Sequence, residues 1–257
     1  MNAANRQPAV RLLGGFGLCV DGDWVTLTRP SARVVALLGL TGHRDRDDVA
    51  ATLWPDAPPE RSHAYLRTAL WRLNNVARGV VVSAGGHLAQ ASSVGVDARR
   101  LLDWATTAAA EGPSPEFPVD PDDLGRDLLP SWDDPWLDVH RERLRVLVPE
   151  ALEARALGRL ADGAAAEALW LALRAHQLDP LRESAVRILV SGHLAQGNRG
   201  AAVRVLRRHR AVLRAELGVD PSPDLLGLLA GPGHRPRPAS GQTGGHTAAQ
   251  TPRQITR

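Results

Sequence analysis

Apolar and polar positions change period along the chain, and the changes divide it. Residues 10–27, VRLLGGFGLCVDGDWVTL, read as short strands with a turn at Asp21-Gly22-Asp23. Pro30 opens a helical segment in which Val34, Leu37, Leu38 and Leu40 face a core. A loop at Gly42 and His43 leads to Asp45, placed to N-cap a helix that runs through Leu53 and Trp54 and stops at Pro55. After Pro58-Pro59, residues 60–77 carry the clearest period of this half. Leu66, Ala69, Leu70, Leu73 and Val76 fall on one stripe at about 100° per residue. Gly79 ends the stripe. Val80, Val81 and Val82, a turn at Gly85-Gly86, and residues 88–91 then read as a hairpin. Strands, three helices and a hairpin follow one another in the order of a winged helix-turn-helix, an order that an unrelated small α+β domain can share.

From Asp97 the signal is almost wholly helical. One helix covers 97–110 and a proline-rich loop follows, with Pro113, Pro115, Pro118 and Pro121. Further helices are expected at 136–160, 164–176, 181–195 and 200–217, with a short one after Pro223. LADG at 160–163 recurs as LAQG at 194–197, displaced by 34 residues, which is the tetratricopeptide (TPR) period. With Gly163 as the inter-helix turn, Ala168, Ala175 and Pro180 take the usual packing and helix-ending positions. The second copy keeps Gly197 and Ala202 but has His209 and Arg214 where Ala and Pro would recur. The repeat is degenerate, and it predicts stacked antiparallel helix pairs. The fold class is therefore mainly α: a winged helix-turn-helix (α+β) at 10–96, then an all-α TPR-like domain at 97–230. Residues 1–9 and 231–257 lack apolar periodicity and are expected to be disordered.

Charge sharpens this division. All 31 basic residues are arginine, which a GC-rich genome accounts for, and the net charge is only +3. Its distribution says more. Residues 61–96 contain no Asp or Glu, yet hold Arg61, Arg67, Arg72, Arg78, His63 and His87. A segment free of carboxylates suits a polyanion, since acids beside a phosphate repel it. Residues 118–230 instead carry 15 arginines against 17 acids. Cys19 is the sole cysteine, the N-terminus lacks a secretory apolar run, and no stretch reaches the roughly 18 apolar residues of a membrane span. A cytoplasmic protein with no membrane association is expected.

On a helical wheel of 60–77, Arg61, Ala64, Thr68, Trp71, Arg72 and Asn75 lie opposite the apolar stripe, with Tyr65 and Arg67 on the flanks. Arginine pairs bidentately with guanine, asparagine with adenine, and threonine touches a thymine methyl or a phosphate. Ala64 lets such a helix seat closely. A solvated face of an ordinary amphipathic helix is the plainer reading; the missing acids and the tryptophan weigh against it. Trp71 suits DNA contact and packing against a neighbour or partner protein equally. Arg44 and Arg46 are within reach of phosphates, but Asp45, Asp47 and Asp48 interleave with them, so capping and surface pairing compete.

The stretch LWPDAPPERSHAYLRTALWRLNN (53–75), preceded by VRLLGGFGLCVDG and followed by GGHLAQASSVGVD, resembles the Streptomyces antibiotic regulatory protein (SARP) family. LLPSWDDPWLDVHRERLR (128–145), LDPLRESAVRILV (178–190) and ELGVDPSPDLLGLL (216–229) look like the bacterial transcriptional activator domain of that family. The resemblance covers residues 10–230. It implies an OmpR-type winged helix that binds direct repeats in promoters as a homodimer. It also implies an activator domain that contacts RNA polymerase and switches on secondary-metabolite, antibiotic-type clusters. One departure stands out: the wing, SAGGHLAQ, offers only His87 where the family often has a basic residue, which shifts weight onto Arg61, Arg67 and Arg72, with Arg78 adjacent.

Other function classes find less support. The histidines are scattered, no GxxxxGK[ST] loop occurs, and no His/Cys group has metal spacing. No catalytic residue, cofactor or metal is expected. SWDDPW (131–136) sets two carboxylates between tryptophans, a composition that fits a packed interdomain corner better than an acid–base pair. The remaining alternative is a non-enzymatic TPR-type scaffold whose winged helix docks protein.

Overall fold

Val10, Leu12 and Leu18 point inward from the first strands, and burying them is what brings the N-terminal sheet onto the helices. A computed structural model describes residues 8–111, 117–120 and 123–229. The sheet comprises β1 (Ala9–Arg11), β2 (Gly17–Val20), β3 (Asp23–Val25) and β7 (Gly95–Val96), in the order β3-β2-β1-β7. Its first three strands are antiparallel, and β7 returns parallel to β1 with Val96 opposite Val10. The turn expected at Asp21-Gly22 is present, joining β2 to β3.

Helix α1 (Arg29–Thr41) has Pro30 in its first turn and is buried almost all round, as a central helix must be. Gly39 leaves room for two neighbours: a Cβ there would meet Gln90 Oε1 at 3.0 Å and Val96 at 3.4 Å. Helices α2 (Arg46–Leu53) and α3 (Pro59–Val76) pack on α1 and on each other. The wing is a hairpin, β5 (Val81–Ala84) and β6 (His87–Gln90), with β4 (Arg44–Asp45) added on the far side of β6. Its turn needs positive φ at both central residues, and Gly85 and Gly86 supply it with φ of 58° and 84°.

The second half begins with α4 (Asp97–Glu111). After a single 3-10 turn at Pro135–Leu137 come α5 (Asp138–Ala161), α6 (Ala165–Leu178), α7 (Glu183–Ala195), α8 (Arg199–Leu217) and the short α9 (Pro223–Gly227). Consecutive helices from α4 to α8 pack pairwise, as the repeat requires. Gly163 and Gly197 occupy matching turns with φ of 79° and 71°. Ala168, Ala175 and Ala202 are fully buried, and so is the atypical His209. The expectations of disorder at 1–9 and 231–257 lie outside the described residues, apart from Pro8 and Ala9.

The two halves share one core. One apolar cluster runs from Val10 through α1, α3 and α4 to Leu189 on α7, and a second, smaller one joins Val186 and Val190 of α7 to Ala202 and Leu206 of α8 and Leu225 of α9. Polar bonds cross the same seam. The Asp97 carboxylate accepts the backbone N–H groups of Leu12 and Leu13 at 2.8 and 3.1 Å. Leu129 N–H donates to Leu12 C=O, and Gly14 N–H to Asp127 C=O. Trp132 stacks on Phe16 with centroids 5.7 Å apart, and Asp134 binds Arg29 and Arg33. The SWDDPW corner is thus packed against the N-terminal half. Arg141 secures its approach by donating to the carbonyls of Leu128, Leu129 and Trp132.

Candidate nucleic-acid interface

Pro58 and Pro59 start α3 with the backbone already extended and then turned. The amides of Arg61 and Ser62 both donate to Pro58 C=O, and Ser62 Oγ donates to Pro59 C=O. Leu66, Ala69, Leu70 and Leu73 bury the inward stripe, and Ser31 Oγ on α1 donates to Ala69 C=O at 2.9 Å, fixing the rotation of α3. Val76 departs from expectation. It is 53% exposed, because the chain leaves the helix there and Ala77 takes the buried place.

That rotation turns Arg61, Arg67, Thr68, Trp71, Arg72 and Asn75 to solvent, with Ala64 half-buried among them. Arg61, Arg67, Arg72 and Arg78 pair with no carboxylate among the described residues. Trp71 is 66% exposed and has no ring or cation partner among the described residues. Tyr65 leans on Trp54 at 5.9 Å, so it belongs to the flank. Thr68 Oγ1 donates to Ala64 C=O, which commits its proton within the helix. Arg72 and Asn75 line a shallow cleft of about 200 Å³ with Thr26, Thr28 and Ser31. That cleft had no signature in the sequence, since it needs the β3–α1 connection to fold beside α3.

The remaining positions lie apart from this face. Arg78 is exposed in the turn after α3. Arg46 begins α2 and its N–H donates to Gly86 C=O, which ties α2 to the tip of the wing. Arg44 is half-buried on β4, near enough to His140 of α5 to oppose that ring's protonation. Asp45 sits at the N-cap position of α2 but makes no side-chain cap bond. Its carboxylate instead meets His87 Nε2 at 3.1 Å. His87 is held further by Gly85 C=O at 3.0 Å and by stacking on His43 at 4.7 Å. The only basic group of the wing is therefore engaged locally, beside an acid.

The model of the bacterial transcriptional activator domain matches residues 74–230, beginning in the last turn of α3 and taking in the wing and every later helix. The regulatory protein AfsR of Streptomyces coelicolor is 31% identical over 231 residues, 84% of this chain and 23% of AfsR. The chain thus spans about a quarter of that curated relative. Among solved structures, Mycobacterium tuberculosis EmbR, determined in complex with a low-affinity phosphopeptide, superposes with a TM-score of 0.61 at 20% identity. The match covers 87% of this chain and 64% of that one, and it corroborates the winged helix-turn-helix followed by helical repeats. The chain belongs to the bacterial transcriptional activator domain family, as a member of its SARP group.

Proposed function

We propose that this chain is a cytoplasmic, nucleoid-associated activator that binds double-stranded DNA through α3. The observation that carries the reading is the unneutralised outward face of that helix. Arg61, Arg67 and Arg72 project from it without carboxylate partners among the described residues, within a segment of 36 residues, 61–96, that contains no acid. Unpaired arginines are costly to crowd together unless an anion covers them, and duplex phosphates with guanine edges do so. Asn75, Thr68 and Ala64 add adenine-reading, phosphate and close-approach capacity. Arg46, Arg78 and His87 are assigned flanking backbone contacts, with His87 the weakest because Asp45 already holds it. Arg44 contributes through the field rather than by contact.

In this reading the protein binds direct repeats in promoters as a homodimer. The helical half recruits RNA polymerase to a secondary-metabolite, antibiotic-type gene cluster. Its role is regulatory and non-enzymatic, without membrane attachment; no helix among the described residues is long and apolar enough to cross a bilayer. Domain limits of 10–96 and 97–230 assign DNA contact to the first part and activation to the second.

The test is Arg72→Ala, with binding measured by fluorescence anisotropy on genomic fragments selected by the purified chain and on random duplex. Base reading predicts a loss of about 1–3 kcal/mol on the selected fragment alone. Equal weakening on both assigns Arg72 to phosphate. No change on either removes α3 as the recognition helix.

A further inference from the structure

The arginines of α8 fall into two groups. Arg210 and Arg214 are neutralised by Asp220, whose carboxyl is held down to about 2, first by Arg214 and then by Arg210. Arg199 donates to Leu229 C=O. Arg204, Arg207 and Arg208 meet no carboxylate among the described residues. Two of these three, Arg204 and Arg208, stand along one groove.

The groove lies between α6 and α8 with α7 beneath, and encloses about 420 Å³. Leu173 of α6, Leu189 of α7 and Val205 of α8 make it largely apolar, and Leu173 is 44% exposed. His176 stands on the α6 side, opposite the arginines. An apolar floor edged by unpaired cations is two requirements in one place. The floor calls for aliphatic or aromatic side chains, and the edge calls for carboxylates.

We propose that this groove docks an acidic peptide segment of another protein, with apolar side chains on Leu173 and Val205 and carboxylates on Arg204 and Arg208. Charge argues against residues 1–7 and 230–257 as occupants, since they contain no Asp or Glu. A duplex supplies phosphates but nothing to cover the apolar floor, so a peptide satisfies both features where DNA satisfies one. The site is separate from α3, and its assignment stands or falls independently of DNA binding there.

The experiment pans a random dodecapeptide display library on the full chain, with the Arg204→Glu/Arg208→Glu double variant as counter-selection. The best synthetic peptide is then titrated by anisotropy. Both arginines are exposed, so the variant should keep the parent circular dichroism spectrum. The expected result is a consensus of carboxylates spaced among apolar residues. Its affinity should fall about tenfold or more in the double variant and several-fold in Leu173→Ser. A consensus without acidic residues, no enrichment over the counter-selection, or affinity indifferent to the arginines would each overturn the proposal. Displacement of the peptide by a short duplex that itself binds the chain through Arg204 and Arg208 would reassign the groove to nucleic acid.

Discussion

Arg33, on the second turn of α1, reaches the carboxylate of Asp134 at 2.6 Å across the seam between the two halves. Asp134 is 7% exposed and also binds Arg29, whose guanidinium lies 3.9 Å from the centroid of Trp132. One carboxylate from the helical half thus fixes the helix on which α3 packs, and so fixes where the outward face of α3 points relative to α5. Asp134→Ala should leave both guanidiniums unpaired and cost about 2–4 kcal/mol, below the full penalty for a broken buried pair because Arg29 is half in solvent. Chemical denaturation measures it. A change under about 0.5 kcal/mol would mean that the pair orients the halves without stabilising them.

Asp97 makes a second, backbone-directed link. Asp97→Ala removes the acceptor for two buried amides, Leu12 and Leu13, and should destabilise by about 2–4 kcal/mol. Asp97→Asn should cost less. Burial pushes the Asp97 carboxyl up, against the lowering effect of the Leu13, Leu12 and Ala98 amides. The contribution of its titration is complete below the ordinary value of 3.8 and is lost as pH rises through the raised one. A neutral amide escapes that loss while retaining one acceptor. Equal destabilisation by Ala and Asn would refute this account.

Stability should fall on mild acidification. Burial lowers the pKa of His140, His176 and His209 from the ordinary 6.5; Arg143 and Arg44 reinforce it at His140, and His209 does so at His176. At His209 burial outweighs the opposing attraction of Glu183. The folded state therefore binds fewer protons than the unfolded chain in the window below 6.5. Stability is full above that value and declines as pH falls toward the depressed ones. Tm at about pH 5.5 should lie below Tm at about pH 7.5, and the gap should narrow in His176→Gln/His209→Gln. A gap unaltered by the double variant would place the titration elsewhere.

The seam also sets how the chain can be cut. A fragment ending at Gly95 discards Val96, which pairs with Val10, and Asp97. It should be less stable than one ending at Glu111, which keeps both and α4. Comparing the urea midpoints of the two fragments checks this. Calorimetry of the whole chain should give one transition, and two well-separated ones would contradict the shared core.

Much of this architecture was legible in the residues. Leu66, Ala69, Leu70 and Leu73 located α3 and its outward face, Gly85-Gly86 located the wing turn, and the LADG/LAQG spacing located the paired helices. These signals are local: a period, a turn residue, a glycine at a fixed offset. What escaped depends on residues distant in sequence. Asp45 reads as a cap, but β6 brings His87 from 42 positions away to compete for its carboxylate. Charge placed a break at residue 96, yet the hydrogen bonds from Leu12 and Leu13 to Asp97 run straight through it. SWDDPW announced a packed corner without naming Arg29, Arg33 and Phe16, because no pattern encodes which surface a corner meets.

A core cluster shared by the two halves has a consequence for genetics. Alleles that open a cavity under α5 or α6, at Leu152 or Leu171 for instance, lower the population of folded chains as a whole. Under the function proposed above, such alleles would be scored as failures of promoter occupancy although the altered residue lies far from α3. Alleles at exposed positions such as Arg72 or Arg204 leave the amount of folded protein intact. Only that second class can separate target recognition from recruitment in a living cell, so a mutational survey should be sorted by cellular protein level before any phenotype is mapped to a surface.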